Sequence, residues 1–151
     1  MSSEIKLGIG LADLAFGSNR DEARQCFGEP DEICPEFEDV DTSKMVTEAW
    51  YYRALGFSLH FDEVNDFRLT TIEITSEDCN ISGFSFIGFS KSDFLDVIRA
   101  LALGSYEEED SEGLLVFGDV AANFWFVDDS LKSIQWTPFW NDETDEFRWP
   151  K

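Results

Sequence analysis

The sequence predicts an α+β fold, a tandem helix-plus-antiparallel-sheet repeat with both helices packed on one face of the sheet, and three observations predict it. Short stretches alternate apolar or aromatic residues with polar ones, the period-two pattern of strands buried on one side. Two other stretches space apolar residues helically between a capping residue and a glycine. The third observation is internal similarity, the signature of a repeated unit. Phe16-Gly17-Ser18-Asn19-Arg20-Asp21-Glu22-Ala23 lies over Ile87-Gly88-Phe89-Ser90-Lys91-Ser92-Asp93-Phe94, and in the same order Leu59-His60-Phe61 lies over Phe124-Trp125-Phe126 and Leu69–Ile74 over Leu131–Trp136. The 151 residues are therefore expected to form one domain of two units, about 5–76 and 79–137, followed by an acidic aromatic tail at 138–151.

In the first unit, Ser18 and Asp21 have capping-box spacing, Ala23, Cys26 and Phe27 share one side of a short helix, and Gly28 and Pro30 stop it. The acidic segment Asp31 to Lys44 reads as a loop. Strands follow at Trp50–Ala54, Phe57–Phe61 and Arg68–Thr75, with turn residues from Asp62 to Asp66. In the second unit Ser90 caps a helix whose Phe94, Val97, Ile98 and Leu101 face the core until Gly104. A second acidic loop is expected from Tyr106 to Gly113, then strands at Leu114–Phe117, Asn123–Val127 and Leu131–Trp136, the last two joined by a turn at Asp128–Ser130. One sheet, or two abutting ones, should result. Alternation sends Leu59, Phe61, Ile72, Ile74, Phe124, Phe126, Ile134 and Trp136 toward the helices, and His60, Thr71, Glu73, Trp125, Ser133 and Gln135 to an open face. Aromatic residues occupy both parities of Trp50-Tyr51-Tyr52-Arg53, so the phase of that strand stays open.

A hydrophobic content of 43% with 15% aromatic residues is ample for a packed core. The net charge of −21, from 32 acidic against 11 basic residues, argues against nucleic acid or an anionic membrane as ligand, because phosphate contacts need the cations this chain lacks. Charge of this size steers encounters with basic partners, or serves plain solubility or a salt-adapted composition. Cys26, Cys34 and Cys79 are odd in number and none lies in a C-x-x-C pair, which predicts reduced thiols and no metal site. The N-terminal Met-Ser-Ser-Glu-Ile-Lys has no basic region leading into an apolar one. A cytoplasmic location is expected.

Catalytic signals are sparse. His60 is the single histidine, in mid-strand, with no serine or cysteine that the sequence places beside it. Gly8-Ile9-Gly10 lacks the third glycine of a dinucleotide loop. Asp39-Val40-Asp41 opens like a calcium loop, but Lys44 and Trp50 stand where glycine and glutamate are required. No cofactor, metal or catalytic residue is expected.

Phe16-Gly17 before a capped helix, Phe27-Gly28-Glu29-Pro30 after it, then Trp50-Tyr51-Tyr52, Leu59-His60-Phe61 and Leu69-Thr70-Thr71-Ile72 resemble the helix-then-meander repeat of the β-lactamase inhibitor protein superfamily, which includes the small outer-membrane assembly lipoproteins. The second unit lacks the Gly-x-Pro after its helix and resembles that repeat more weakly. The resemblance implies a tandem inhibitor whose sheet face and loops grip another protein. The lipoprotein role is disfavoured, since no signal peptide or lipidation cysteine is present. In acidity and size the chain is also similar to the immunity proteins that bacteria make against nuclease toxins.

These features lead to an expected immunity or inhibitor protein that blocks a basic toxin, a nuclease for preference, with acidic loops mimicking a phosphate array. Its contact residues would be Glu36, Glu38, Asp39 and Asp41 of the first acidic segment, and Tyr106, Glu107, Glu108, Glu109, Asp110 and Glu112 of the second. His60, Glu73, Trp125 and Trp140 would join them. Clustered carboxylates also make ordinary solvated loops, and the tail aromatics Phe139, Trp140, Phe147 and Trp149 equally suit a strap across the domain. A non-inhibitory adaptor or assembly module and a small carboxylate-dependent hydrolase are the rival expectations.

Overall fold

A computed structural model describes residues 3–37, 45–109 and 113–150. In chain order its elements are β1 (Ser3–Lys6), β2 (Gly10–Leu11), β3 (Leu14–Ala15), α1 (Arg20–Phe27), β4 (Glu32–Phe37), β5 (Met45–Tyr52), β6 (Phe57–Asp62), β7 (Arg68–Ile74) and β8 (Cys79–Asn80). There follow α2 (Lys91–Ile98), β9 (Glu107–Glu109), β10 (Leu114–Phe117), β11 (Ala122–Val127), β12 (Ser130–Trp136), β13 (Phe139–Asn141) and β14 (Glu146–Arg148). The architecture is mixed α+β, dominated by antiparallel strands, with two short helices.

Both helices begin where a side chain satisfies backbone N–H groups that the first turn leaves unpaired. At α1 that residue is Asn19 rather than Ser18. Its Oδ1 accepts from the Glu22 N–H at 2.9 Å, and Glu22 Oε1 accepts from the Asn19 N–H at 3.1 Å, a complete capping box. Ser90 caps α2 as expected, accepting from the Asp93 N–H at 3.2 Å. A second tie fixes α2 to the sheet: Asp129 accepts from the Lys91 N–H at 3.1 Å. Asp129 itself sits in the two-residue turn between β11 and β12, where Asp128 and Asp129 take φ of 53° and 60°. That pair of positive values suits a hairpin with the natural strand twist, and aspartate tolerates it.

Eight strands form one antiparallel sheet in the order β4-β5-β6-β7-β12-β11-β10-β9. The register settles the phase that the aromatic run left open. Trp50 lies opposite Leu59, Leu59 opposite Ile72, Ile72 opposite Trp136 and Trp136 opposite Ala122. A parallel row runs Tyr52, Phe57, Ile74, Ile134, Phe124, Leu115. Every residue in both rows is buried. Phe61 and Phe126 are buried as well, so all eight expected core positions hold.

Helix α1 meets the sheet through Phe27, whose ring is edge-on to Phe57 at 4.8 Å, and through Arg24, whose guanidinium lies 4.7 Å from the Trp50 ring centroid. Helix α2 meets it through Phe94, against Phe124 at 4.8 Å and Phe126 at 5.4 Å. One carboxylate is enclosed on the α1 side: Glu48, 13% exposed, accepts from Trp50 Nε1 at 2.6 Å and pairs with Arg20 at 3.2 Å. Buried charge of this kind persists only when paired and hydrogen-bonded. A small sheet, β3-β2-β1-β8, adds Ile5, Leu11, Leu14 and Cys79 to the same core, and Trp136 Nε1 donates to the Gly10 carbonyl at 3.2 Å. Gly10 has no substitute there, because a Cβ would collide with the Leu14 carbonyl oxygen.

Several expectations need correction. The acidic segment after α1 is not a loop throughout: Glu32–Phe37 form the edge strand β4, whose Pro35 fits where a missing N–H costs little. Likewise Glu107–Glu109 form the opposite edge strand β9. Solvent screens carboxylates on an edge, so backbone pairing decides. Strand β5 starts at Met45 and ends at Tyr52, leaving Arg53 and Ala54 in the following turn. Cys26 is exposed rather than packed, and Ala23 is the buried residue of α1. The strands β1 to β3 and β8 were not anticipated, and the tail folds into the hairpin β13–β14.

Phe94 joins α2 to three aromatic residues of the sheet. Phe94→Ala should cost about 3–5 kcal/mol in urea unfolding, whereas Val127→Ala, at a 52% exposed position, should stay within about 0.5 kcal/mol.

Candidate partner-binding face

The pleat that buries one row of side chains presents the next row on the other side. Opposite the core rows runs Glu32, Tyr51, Ser58, Glu73, Gln135, Asn123, Val116, Glu107, one residue per strand across the whole sheet. Beside it runs Cys34, Ala49, His60, Thr71, and toward the other edge Ser133, Trp125, Leu114, Glu109. As alternation predicts, His60, Thr71, Glu73, Trp125, Ser133 and Gln135 all lie on this face, each half-buried among its neighbours.

Titration reflects that half-burial. The Glu73 carboxyl is pushed above the usual range by burial alone. Tyr51 is raised, first by burial and then by the negative groups around it. Burial pushes His60 below its ordinary value, partly opposed by Glu36 and Asp62. Near the edge the charges are matched: Arg53 pairs with Glu32 and holds its carboxyl down, and Glu32 in turn accepts from Cys34 and keeps that thiol up. A raised thiol is a poor nucleophile. Between Tyr51 and Glu73 the face dips into a cleft of about 240 Å³.

One contact overturns an expectation. Ser58 Oγ lies 3.1 Å from His60 Nε2, a nucleophile-to-base distance. Both residues share β6 at i, i+2 spacing, a placement that strand alternation alone could have signalled. Ser58 is 4% exposed, and among the described residues no carboxylate bonds the other ring nitrogen of His60. The strands on either side of β6 pair with it along its length. The bond satisfies one buried and one half-buried polar group.

The expected contact residues divide. Glu36 is exposed on β4 and shares the open side with Thr47 and Asp62, its neighbours across the ladder. Glu107 and Glu109 reach the open face at the far edge. Glu108 points the other way and pairs with Lys91 of α2. Tyr106 also leaves the face, its ring 5.2 Å from the core residue Phe117. Trp140 belongs to the separate β13–β14 hairpin, 45% exposed and edge-on to Phe147 at 5.1 Å. Glu38, Asp39, Asp41, Asp110 and Glu112 lie outside the described residues. Tyr51, Ser58, Asn123 and Glu32 were missed, the first because its strand phase was ambiguous. No helix among the described residues is long and apolar enough to cross a membrane.

The chain matches no protein-family model, no curated protein and no solved structure.

His60 gives a direct test of this environment. Its folded pKa lies below the unfolded value of about 6.5, so the unfolded state binds the proton first and stability falls as pH drops through that value. The lone histidine resonance should titrate below its ordinary value in NMR, and His60→Gln should lose less stability than wild type between neutral and mildly acidic pH.

Proposed function

We propose that this chain is a cytoplasmic immunity or inhibitor protein that neutralises a basic toxin, a nuclease for preference, by docking the open sheet face and its acidic edges over the toxin's cationic cleft. The observation that carries this reading is the company Trp125 keeps. It shares a ladder row with Leu114 and Glu109, so an aromatic anchor and a carboxylate stand two strands apart, about 10 Å. Glu107 extends the same acidic edge, and Glu36, Asp62 and Glu73 carry negative charge across the other half. The helices on the opposite side carry mixed charge, Arg20, Arg24 and Lys91 beside Asp21, Glu22, Asp93 and Asp96. The face therefore combines an aromatic anchor with acidic edges, the division of labour between hot spot and steering charge found in tight complexes.

The scaffold we read as two diverged helix-plus-meander copies, related to the tandem inhibitor repeat that the sequence resembles. In its favour, each helix precedes four strands that pair consecutively, and the two sets join through β7 and β12. Phe57, which meets α1, and Phe124, which meets α2, are linked by the ladder through Ile74 and Ile134. That register supports helices on one face.

Co-expression with the product of the adjacent gene is the primary test, with a stable complex and loss of toxicity expected; a neighbour that is neither basic nor toxic counts against the proposal. Within such a complex, neutralising Glu36, Glu107 and Glu109 to glutamine should slow association about tenfold at low salt and flatten its salt dependence. Trp125→Ala should act on dissociation instead, by about thirtyfold if it is a hot spot. Charge-neutral variants that kept both rate and salt dependence would contradict the mechanism.

A further inference from the structure

We propose that the cleft between Tyr51 and Glu73 receives one arginine side chain of the protein partner, stacked on the Tyr51 ring and ion-paired with the Glu73 carboxylate. This deepens the partner-binding reading above and rests on it, naming the group that the centre of the first half of the face recognises.

Three observations point to a guanidinium. Glu73 sits within the sheet with Ser58 opposite on one side and Gln135 on the other, neither of them cationic. No described cation offsets its burial, and a half-buried carboxylate without a counter-charge is a costly arrangement that an incoming cation relieves. Next, the cleft holds about 240 Å³ and is lined on the open side by Tyr51, Ser58 and Glu73, with Arg53, Gly56 and Thr75 beside them, so it offers the Tyr51 ring and a polar floor together. Last, the chain already presents a guanidinium to the same ring: Arg53 Cζ lies 6.0 Å from the Tyr51 centroid. That arginine is held at the rim by Glu32, which leaves Glu73 to a second cation. A planar fork can stack on an aromatic ring and donate in its own plane at once, which a lysine ammonium cannot.

The test uses the full chain and a blocked Gly-Arg-Gly peptide, followed by two-dimensional NMR at low salt, with Gly-Lys-Gly and Gly-citrulline-Gly as comparison peptides. Shifts should concentrate on Tyr51, Ser58, Glu73 and Thr75, be weaker with lysine and vanish with the uncharged citrulline. Glu73→Gln should weaken the arginine peptide about fivefold, and Tyr51→Leu should weaken it independently. Shifts spread evenly over the acidic surface, or an unchanged affinity in Glu73→Gln, would overturn the proposal. The peptide result does not depend on finding a toxin. A basic partner that binds wild type and Glu73→Gln equally removes the cleft and leaves the inhibitor reading standing, whereas a cleft that takes the peptide in a chain with no basic partner keeps the cleft and removes that reading.

Discussion

Strand register is the constraint on which everything else depends. Because the side-chain period of a strand is two, one ladder assigns each residue of eight strands to a side, and a slip of one residue would exchange them all. Burying Trp50, Leu59, Ile72 and Trp136 in one row obliges Tyr51, Ser58, Glu73 and Gln135 to occupy another. The hydrophobic requirement of the core thus determines which polar groups meet the outside. The face is a by-product of the packing, and its precision is that of the packing.

Charge is distributed in keeping with this. Within the packed side the enclosed carboxylate Glu48 has both a tryptophan donor and an arginine. On the open side Glu73 has neither, and its carboxyl is raised. A carboxylate left half-desolvated opposes folding as pH rises through its ordinary value, since the unfolded chain ionises first. Such groups are where a protein has stability to regain on association, and where interface energy tends to concentrate.

Much of this was legible in the sequence, and the reasons for the rest are physical. The phases of β6, β7, β11 and β12 follow from strict alternation. In β5, by contrast, Trp50, Tyr51 and Tyr52 are all aromatic, and only pairing with β6 tells inward from outward. The edge strands hid behind their composition, since three consecutive glutamates have poor strand propensity and form β9 because β10 offers a ladder. Strands of two residues, such as β2, β3 and β8, are too short to leave any periodic trace. At α1 the cap was one residue from its expected place, because Ser18 and Asn19 are both good capping residues and only the turn geometry chooses. For the site, alternation identified the face, but which members lose solvent, and which find partners, depends on neighbours far apart in the chain.

The two outermost strands have a further consequence. An unpaired strand is a template for another chain, and sheets this wide invite stacking into fibres. Here one border carries Glu32, Pro35 and Glu36, and the other three glutamates in succession. A second copy approaching either border would bring like charge against like, and at Pro35 would find no hydrogen to accept. Like charge on both borders therefore opposes edge-to-edge pairing of identical molecules, and acid that protonates those carboxylates weakens the opposition.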